Sequence, residues 1–518
     1  MAQRFSNGTI YLDSETKVSE LYVSDRGLVI SKSAYECAET KEDVDLAGKT
    51  LLPAFRDAHI HPLLGGREAL GLDVKHAGTT AELGALLKEH LAKSPGLKWL
   101  DAGTYNRGID GPQTSATLDK YVDTIPVILH ADDHHTIWVN SKAMEVAGIT
   151  QDDVPSFPIG GFDIDSEGIP TGLVRESLAK DTILKHAPKR SLQDDVQALL
   201  KAESMLIEAG IVEVQDAWVN DQILAAYLRA QPQLKLDYKL AFSMESQSLD
   251  SDIRFISTAV NQLDSNLQIR PHSVKIFVDG VFGSATAFVT EPYLTTQTTG
   301  DLNWTKEKLE SALIFAKDLG LQAHLHAIGD AAVAFALDSI ESTQLTNSVI
   351  AHAELTTAAL LKRASALGVT MCVQPYWAQR NDLLLTCTHH LGEQRLESLY
   401  SFRSMLDNGI PLVFSSDWPV SSHKPLEGIA TAVFRRLRPD QKPHNLSEAI
   451  TIQEAVSTYT SSVATLLSSG TGTLKQGSEF DAVVLNMDLM QKDLEGFSSL
   501  EVLAVYKRGI TLLPHNHN

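Results

Sequence analysis

The sequence of 518 residues has few features of a secreted or membrane-bound protein. It has only three cysteines, Cys37, Cys372 and Cys387, and no C-x-x-C pair, which argues against a disulfide framework and indicates a reducing compartment. No stretch approaches the roughly 18 consecutive apolar residues of a membrane span. The first residues, MAQRFSNGTIYLD, lack the apolar core of a signal peptide. We therefore expect a soluble, cytoplasmic protein.

Positive charge is also scarce, because 44 lysines and arginines stand against 65 acidic residues and give a formal net charge of −21. An acidic surface repels phosphate backbones and anionic lipids, so we expect neither nucleic acid nor a membrane as a partner. The sequence also lacks the Walker-type glycine loop that holds nucleotide phosphates. These absences leave a small-molecule substrate as the expected partner.

The middle of the chain contains a repeated alternation of short apolar runs and helical patterns. This alternation is typical of β/α units with a parallel sheet. Eight apolar runs qualify as barrel strands: 51–61, 210–219, 236–243, 273–280, 321–330, 349–355, 369–376 and 411–419. Eight units predict an α/β fold with a TIM-like (β/α)8 barrel.

The chain ends and one internal segment break this alternation. Residues 1–50 and 470–518 contain short runs of alternating apolar and polar residues, which predict a small β-sandwich domain built from both termini. Residues 64–205 lie between the first and second barrel strands and predict a large insertion that lines the substrate site. The barrel then comprises residues 51–63 and 206–469.

Metal-binding residue types lie at the C-terminal ends of the predicted barrel strands, which converge on one mouth. His59 and His61 are two residues apart in DAHIHP, so both side chains face the barrel interior. Two neutral imidazoles in that position can share one divalent cation. The other candidate ligands lie in the fourth, fifth, sixth and eighth runs: Lys275, His326, His352 and Asp417.

Five of the six candidate ligands also have a structural interpretation. The alternatives are a hydrogen-bonded pair for His59 and His61, an ion pair with Asp279 for Lys275, a bond to Glu354 for His352, and a helix cap or turn for Asp417. The convergence of all six favours a metal site, because polar groups are seldom buried without a partner. As a catalyst, Asp417 would accept a proton from metal-bound water, whose pKa the cation lowers toward about 7.

Several motifs along nearly the whole chain carry a resemblance to a known family. They are DAHIHP, ADDHHTIWVNSKA, GIPTGLVRES, VKIFVDG followed by SATA, HAIGDAA, AHAE, SSDWPV and GTLKQGSEFDAVVL. With these motifs the chain resembles the metal-dependent amidohydrolase superfamily. Within it, the chain is similar to the amidohydrolase family 3 branch, which includes N-substituted formamide deformylases.

The resemblance implies a metal-dependent hydrolase that cleaves an amide-type carbon–nitrogen bond with metal-activated hydroxide. It implies that the six candidate ligands bind two divalent ions, expected to be zinc, with a carboxylated Lys275 bridging them and Asp417 as general base. It also suggests a homodimer. The alternatives are a deaminase, a lactone or carbamate hydrolase, a metal-dependent isomerase, and a non-catalytic amidohydrolase-like assembly protein.

The candidate substrate-binding residues lie in the insertion, within the fifth run and just after the seventh run: His135, Trp138, Asn140, His324, Trp377 and Arg380. An aromatic side chain with polar neighbours suits a small organic amide. Packing within the insertion is an equal alternative for Trp138, and a supporting position behind the ligands is the alternative for His324. Cys372 has no evident activating base, so we predict a core thiol there.

Overall fold

The structure, a computed structural model, describes residues 1–131, 136–151, 154–155, 157, 160–263 and 265–514, without the side chains at positions 177, 382, 383 and 386. The strands of this described part are, in chain order, β1 (Ala2–Ser6), β2 (Thr9–Tyr11), β3 (Lys17–Val18), β4 (Leu21–Val23), β5 (Val29–Ile30), β6 (Lys41–Asp45), β7 (Thr50–Pro53), β8 (Phe55–Ile60), β9 (Leu100–Tyr105), β10 (Val127–Ala131), β11 (Thr136–Val139), β12 (Gly161–Ile164), β13 (Pro170–Arg175), β14 (Ile211–Val219), β15 (Asp237–Met244), β16 (Ile269–Phe277), β17 (Gln322–Ala327), β18 (Ser348–His352), β19 (Thr370–Val373), β20 (Leu412–Phe414), β21 (Ala482–Leu485), β22 (Val502–Lys507) and β23 (Ile510–Leu513).

The α-helices of the same residues are α1 (Lys32–Glu36), α2 (Pro62–Leu70), α3 (Thr80–Lys93), α4 (Ser115–Asp119), α5 (Ser141–Ala147), α6 (Ser177–Leu184), α7 (Leu192–Glu208), α8 (Asp221–Ala230), α9 (Leu249–Leu263), α10 (Lys306–Asp318), α11 (Asp330–Thr343), α12 (Ala358–Leu367), α13 (Asp382–Leu396), α14 (Phe402–Asp407), α15 (Pro425–Phe434), α16 (Ile452–Tyr459), α17 (Ser461–Leu466) and α18 (Leu494–Ser498). Short 3-10 helices span Gln231–Gln233, Phe282–Ser284, Pro375–Trp377, Leu446–Glu448 and Leu489–Gln491. None of the helices described here is both long enough and apolar enough to cross a bilayer.

The chain forms two compact units, one of residues 1–61 with 203–518 and the other of residues 62–202. The first unit contains an eight-stranded parallel sheet in the order β8, β14, β15, β16, β17, β18, β19 and β20. Each of the eight predicted apolar runs contains one of these strands. The prediction of a TIM-like barrel is therefore confirmed.

The ring of strands is nearly closed between the end of β8 and the residues that follow β20. Asp417 donates its backbone N–H to the carbonyl of His59 at 2.8 Å, and His61 donates to the carbonyl of Trp418 at 2.9 Å. The predicted eighth run, 411–419, contains a strand only at Leu412–Phe414. The residues beyond it form loop contacts that hold the mouth of the barrel together.

Helices follow the barrel strands because their apolar residues recur on one face. In α9 the buried residues Ile256, Ala259 and Leu263 are spaced by three and four positions, so they form one stripe. The α12 helix begins after Thr357, whose hydroxyl accepts the N–H of Leu360, and ends at Gly368 with φ 66°. Such caps set where each helix returns to the next strand.

Both chain ends contribute to two further sheets of the first unit. One has the strand order β5, β4, β1, β6, and the other has the order β23, β22, β21, β7, β2, β3. Leu51 of β7 pairs with Val484 of β21, so distant parts of the sequence share one sheet. The ring of Phe5 lies 4.9 Å from that of Phe480 and 5.5 Å from that of Tyr506, within the core between the sheets.

The second unit follows β8 in the chain and has its own sheet, in the order β12, β13, β11, β10, β9. Leu87, Tyr105, Leu129 and Trp138 belong to its core. The sheet mixes a parallel pair, β9 with β10, and antiparallel pairs, β10 with β11 and β11 with β13. This segment therefore folds around apolar residues of its own.

Candidate metal centre

His59, His61 and Asp417 meet at the C-terminal end of the barrel strands. The Asp417 Oδ1 atom lies 3.3 Å from His59 Nε2 and 3.1 Å from His61 Nε2. All three donor atoms lie within 4.8 Å of one another. The structure therefore brings together three of the six predicted ligands in one compact group.

The backbone around this group is held by a buried aspartate of the same motif. The Asp57 carboxylate accepts the N–H of His59 at 3.1 Å and the N–H of Ser416 at 3.1 Å. It thereby connects the first and eighth strands of the barrel. Asp417 itself has φ 52°, a conformation that costs a non-glycine residue about 1–3 kcal/mol and is enriched at functional sites.

Lys275 reaches the same group from β16. Its Nζ atom lies 3.2 Å from His59 Nε2 and 4.7 Å from the centre of the Phe277 ring, and the residue is 1% exposed. Burial lowers the pKa of Lys275 to about 8, although Asp417 acts in the opposite direction. An amine with this pKa is partly neutral at physiological pH, as carbamate formation requires.

The alternative partner of Lys275, Asp279, is bonded elsewhere. Its carboxylate accepts the backbone N–H groups of Phe288, Ile328 and Gly329 at 2.9–3.0 Å. This carboxylate fixes the loops that follow β16 and β17. The hypothesis of a structural ion pair between Lys275 and Asp279 is therefore wrong.

His326 and His352 lie beside each other at the ends of β17 and β18, with ring centres 4.4 Å apart. His326 Nε2 lies 3.1 Å from the carbonyl oxygen of Gly280, and His352 Nδ1 lies 2.9 Å from Gln374 Oε1. The His352 ring is 4.9 Å from that of His59. Among the described residues, neither imidazole joins a group of ligand atoms within 4.8 Å of one another.

The alternative interpretation of His352, a core histidine bonded to Glu354, does not hold. Glu354 instead accepts the hydroxyl of Tyr400 at 2.8 Å. His352 has φ 74°, so a second candidate ligand lies in the left-handed backbone region.

His324 contacts the ring nitrogen of His59 that does not face Asp417. Its Nε2 atom lies 2.9 Å from His59 Nδ1, and its Nδ1 atom lies 2.9 Å from Gln215 Nε2. Gln215 is oriented by the carbonyl of Ala58, which can only accept, and by the hydroxyl of Ser273. Because both ring nitrogens of His324 contact protein atoms, the structure favours its supporting position over a substrate-facing one.

Cys372 lies in the barrel interior near these histidines. Its Sγ atom forms a second compact group with His59 and His324 and lies 3.4 Å from Ser415 Oγ. Burial raises the pKa of the thiol to about 12. This environment agrees with the predicted core thiol and not with an activated nucleophile.

The electrostatics of the cluster suit metal ligation. Burial lowers the pKa of His59 to about 3, and the Lys275 ammonium adds to this effect, so the imidazole is neutral. Burial alone would raise the pKa of Asp417, but the nearby His59 and His61 outweigh it and hold that pKa well below its usual value. Neutral imidazoles and an ionised carboxylate are the forms that bind divalent cations.

The donor atoms also fit the dimensions of a divalent cation. Ligand atoms about 2.0–2.2 Å from a tetrahedral zinc ion lie about 3.4 Å apart, close to the 3.1 and 3.3 Å found here. Asp417 Oδ1 is buried and has no hydrogen-bond partner among the described residues. A cation between these atoms would give this oxygen a partner, so His59, His61 and Asp417 are suited to hold a divalent cation.

Comparisons with known proteins agree with this geometry. The profile of the amidohydrolase family matches residues 42–512. The chain belongs to the amidohydrolase family. The resemblance inferred from the sequence motifs is therefore confirmed.

Individual members of the amidohydrolase family align over most of the chain. YtcJ of Bacillus subtilis (strain 168) is 27% identical over 96% of this chain and 96% of its own length. An N-substituted formamide deformylase of Arthrobacter pascens is 24% identical, over 91% of this chain and 90% of its own. The crystal structure of an uncharacterized metal-dependent hydrolase from Pyrococcus furiosus superposes with a TM-score of 0.75 at 26% identity, covering 95% of this chain and 100% of that one.

Two predicted substrate-binding residues of this amidohydrolase family member follow β19. The Trp377 ring stacks on that of His352, with centres 5.5 Å apart and planes 8° from parallel. Arg380 pairs with Glu397, and with Glu393 at 3.3 Å. Trp377 thus lies directly against a candidate ligand, whereas the guanidinium of Arg380 is engaged by carboxylates of α13 and the residue after it.

The other predicted substrate-binding residues lie in the second unit. Trp138 is 0% exposed and packs against Tyr105, with ring centres 5.4 Å apart. Asn140 is buried, and its side-chain oxygen accepts the N–H groups of Val127 and Ala143 at 2.9 and 3.0 Å. Both side chains therefore have a role in packing or capping the unit. His135 lies outside the described residues.

The Asn140 amide group provides a direct test of this structural role. Its nitrogen also donates to the carbonyls of Val122 and Ile125, both at 2.9 Å. We expect Asn140→Ala to lower the free energy of unfolding by about 2–4 kcal/mol, because four backbone groups lose their partner. Urea unfolding followed by circular dichroism measures this change.

Asn140→Asp is the matched comparison, since it keeps the acceptor oxygen but places a second carboxylate oxygen against the carbonyls of Val122 and Ile125. We expect a loss of stability at least as large as that of Asn140→Ala at neutral pH, with no change in bound metal for either variant. An Asn140→Ala protein of unchanged stability and a strongly raised KM would instead assign Asn140 to the substrate.

Several supporting residues were not found from the sequence. Gln215 orients His324, Gln374 bonds to His352, and Ser415 bonds to Gln374 at 2.9 Å. Polar residues inside apolar strands, such as the glutamine in GIVEVQDAWV, were the available signal. Asp57 was visible in DAHIHP, but its bond to Ser416 depends on closure of the barrel.

Proposed function

We propose that this protein hydrolyses an amide-type carbon–nitrogen bond of a small organic substrate with the help of divalent metal. The observation that carries the proposal is the buried Asp417 Oδ1 atom, which has no hydrogen-bond partner among the described residues and lies 3.1 and 3.3 Å from two imidazole nitrogens. A carboxylate held in this way at a barrel mouth suits both ligation and proton transfer.

The residues that would hold the metal are the six predicted ligands: His59, His61, Lys275, His326, His352 and Asp417. His59, His61 and Asp417 would form one group, with His326 and His352 as ligands for a second ion, and a carboxylated Lys275 between them. Divalent metal, proposed to be zinc, would polarise the substrate carbonyl and acidify water at this position. The low pKa and burial of Lys275 support its carboxylation.

In the proposed reaction, Asp417 transfers the proton. Its carboxylate accepts a proton from the attacking water and then passes it to the leaving nitrogen. His59 and His61 hold the carboxylate ionised before the reaction, and Asp57 holds the backbone of both strand ends in place. His324 and Gln215 fix the ring of His59 from the other side.

The proposed substrate class rests on the aromatic ring of Trp377 and on one relative of known name. Trp377, stacked on His352, places an aromatic ring beside the candidate ligands. The Arthrobacter pascens relative is an N-substituted formamide deformylase, so formamides with an aromatic substituent are the first compounds to test. N-benzylformamide should release benzylamine and formate in equal amounts. A panel of lactones, carbamates and aminopyrimidines tests the other hydrolytic reactions of the same site.

Metal content is the simplest test of the proposed centre. We expect about two divalent ions per chain by mass spectrometry after removal of free metal, since the six ligands provide two adjacent positions. Removal of the metal by a chelator should abolish amide hydrolysis, and added zinc should restore it. Full activity in protein that contains no metal would contradict the proposal.

A further inference from the structure

A cavity of about 350 Å³ opens in the first unit at the N-terminal ends of barrel strands. It is lined by residues at or just before the starts of β8, β14, β15 and β16 and by the loop 468–473. Lys239 in this wall lies four residues before Ser243, which pairs with Lys275. At 3.3 Å per residue the cavity is about 13 Å from the ligand cluster, so it is a separate site.

The carboxylates of this cavity already have cationic partners. Arg56 bonds to Glu213 at 3.1 Å and to Asp481 at 2.8 Å. Arg508 bonds to Glu479 at 3.1 Å and to Asp237 at 2.5 Å. Asp237 also forms an ion pair with Lys507 at 2.6 Å. None of these four acidic groups therefore needs a further cation.

Two cations of the cavity wall are less fully engaged. Lys239 is 6% exposed and forms an ion pair with Glu213 Oε1 at 3.8 Å, but its ammonium makes no hydrogen bond to a described residue. A buried ammonium that makes no hydrogen bond is costly. Arg270 bonds through Nε to the carbonyl of Leu267 at 3.1 Å, and its terminal nitrogens have no acceptor in the described part of the chain.

The positions of Lys239 and Arg270 are linked. Burial lowers the pKa of Lys239, Glu213 and Asp237 act against this, and Arg270 and Arg508 lower the pKa further. These cations therefore lie close enough to repel one another. An anion placed between them would relieve both the repulsion and the missing hydrogen bonds.

The loop on the other side of the cavity offers neutral donors. It has the sequence SSGTGT, in which four residues carry hydroxyl groups. The backbone N–H groups of Gly470, Thr471 and Gly472 bond to no acceptor among the residues described. Hydroxyls and consecutive backbone N–H groups are suitable donors for phosphate or carboxylate oxygens.

We propose that this cavity binds a small organic anion through a phosphate or carboxylate group. Lys239 and Arg270 would contact the charged group, and the loop 468–473 would donate to its remaining oxygens. A volume of about 350 Å³ is within the range of small-molecule sites and leaves room for an organic remainder. The site is independent of the reaction proposed for the metal centre.

Isothermal titration calorimetry on the full-length, metal-loaded protein tests this site. Inorganic phosphate and succinate are the probes, titrated separately at constant ionic strength with chloride as the background anion. We expect one of them to bind at a single site, and the tighter probe identifies the charged group. Lys239→Met and Arg270→Gln should each weaken that binding about tenfold or more.

Lys362→Met, on the exposed side of α12, is the matched control and should leave the binding unchanged. Arg270 is exposed, so Arg270→Gln remains a test even if Lys239→Met fails to fold. Absence of binding by both probes would overturn the proposal. Binding that is unaffected by Lys239→Met and Arg270→Gln but lost in His59→Ala would place the anion at the metal centre and would overturn it as well.

Discussion

Replacement of Lys275 by alanine is expected to remove the second divalent ion and hydrolysis together. The Nζ atom lies 3.2 Å from His59 Nε2 in the closed interior of the barrel, where no other described lysine approaches the cluster. A carboxylated lysine would provide anionic oxygens there, and alanine provides none. We expect kcat/KM to fall by about a thousandfold or more, because metal contributes several kcal/mol to such reactions.

Chemical rescue distinguishes this role from a general loss of structure. Acetate or propionate can enter the space left by the side chain and supply the missing carboxylate, so part of the metal and of the activity should return. Lys362→Ala on the surface should behave like the unmodified protein. A Lys275→Ala variant that keeps its full metal content and turnover would end the carbamate hypothesis.

Asp417→Asn is expected to lower kcat by about 10²–10⁴-fold while most of the metal stays bound. The amide keeps an oxygen near His59 and His61, but it cannot accept a proton from water. Because the change affects proton transfer and not substrate contacts, KM should change little. Steady-state kinetics with metal analysis of the same sample measures both effects.

Asp407→Asn is the comparison for this variant, since Asp407 lies on α14 and pairs with Arg403 at 2.9 Å at the protein surface. Its kinetics should equal those of the unmodified protein. An Asp417→Asn protein with full turnover would refute the role of Asp417 as the base. Loss of both metal and activity would show that ligation is its main contribution.

The eight barrel strands were predictable because each is a short apolar run separated by helical patterns. The predicted runs and the observed strands agree best where the run is buried on both faces, as in β17 and β18. They agree least at the eighth run, because Asp417 and Trp418 pair with the first strand end only after the ring has closed. That pairing joins residues more than 350 positions apart and has no local signal.

The candidate ligands also divide into features that the sequence predicts and contacts that form only in the folded barrel. His59 and His61 could be assigned from their spacing, since side chains two residues apart on a strand share a face. The polar residues behind the histidines could not be assigned in this way. Gln215 contacts His324 and Gln374 contacts His352, each from a different part of the chain, and Ser415 contacts Gln374. Trp138 is of a residue type that is common in binding sites, but it lies in a core. Only its burial in the structure distinguishes these two roles.

The sequence by itself determined the barrel, the family and the residue types of the candidate metal centre, because apolar periodicity, motifs and ligand spacing are local properties of the chain. Tertiary structure alone decided which donor atoms meet, that Asp417 Oδ1 has no hydrogen-bond partner among the described residues, and that Lys239 is buried beside Glu213. These outcomes depend on distances between strands that are far apart in the chain. They are therefore set by closure of the sheet and not by any single segment.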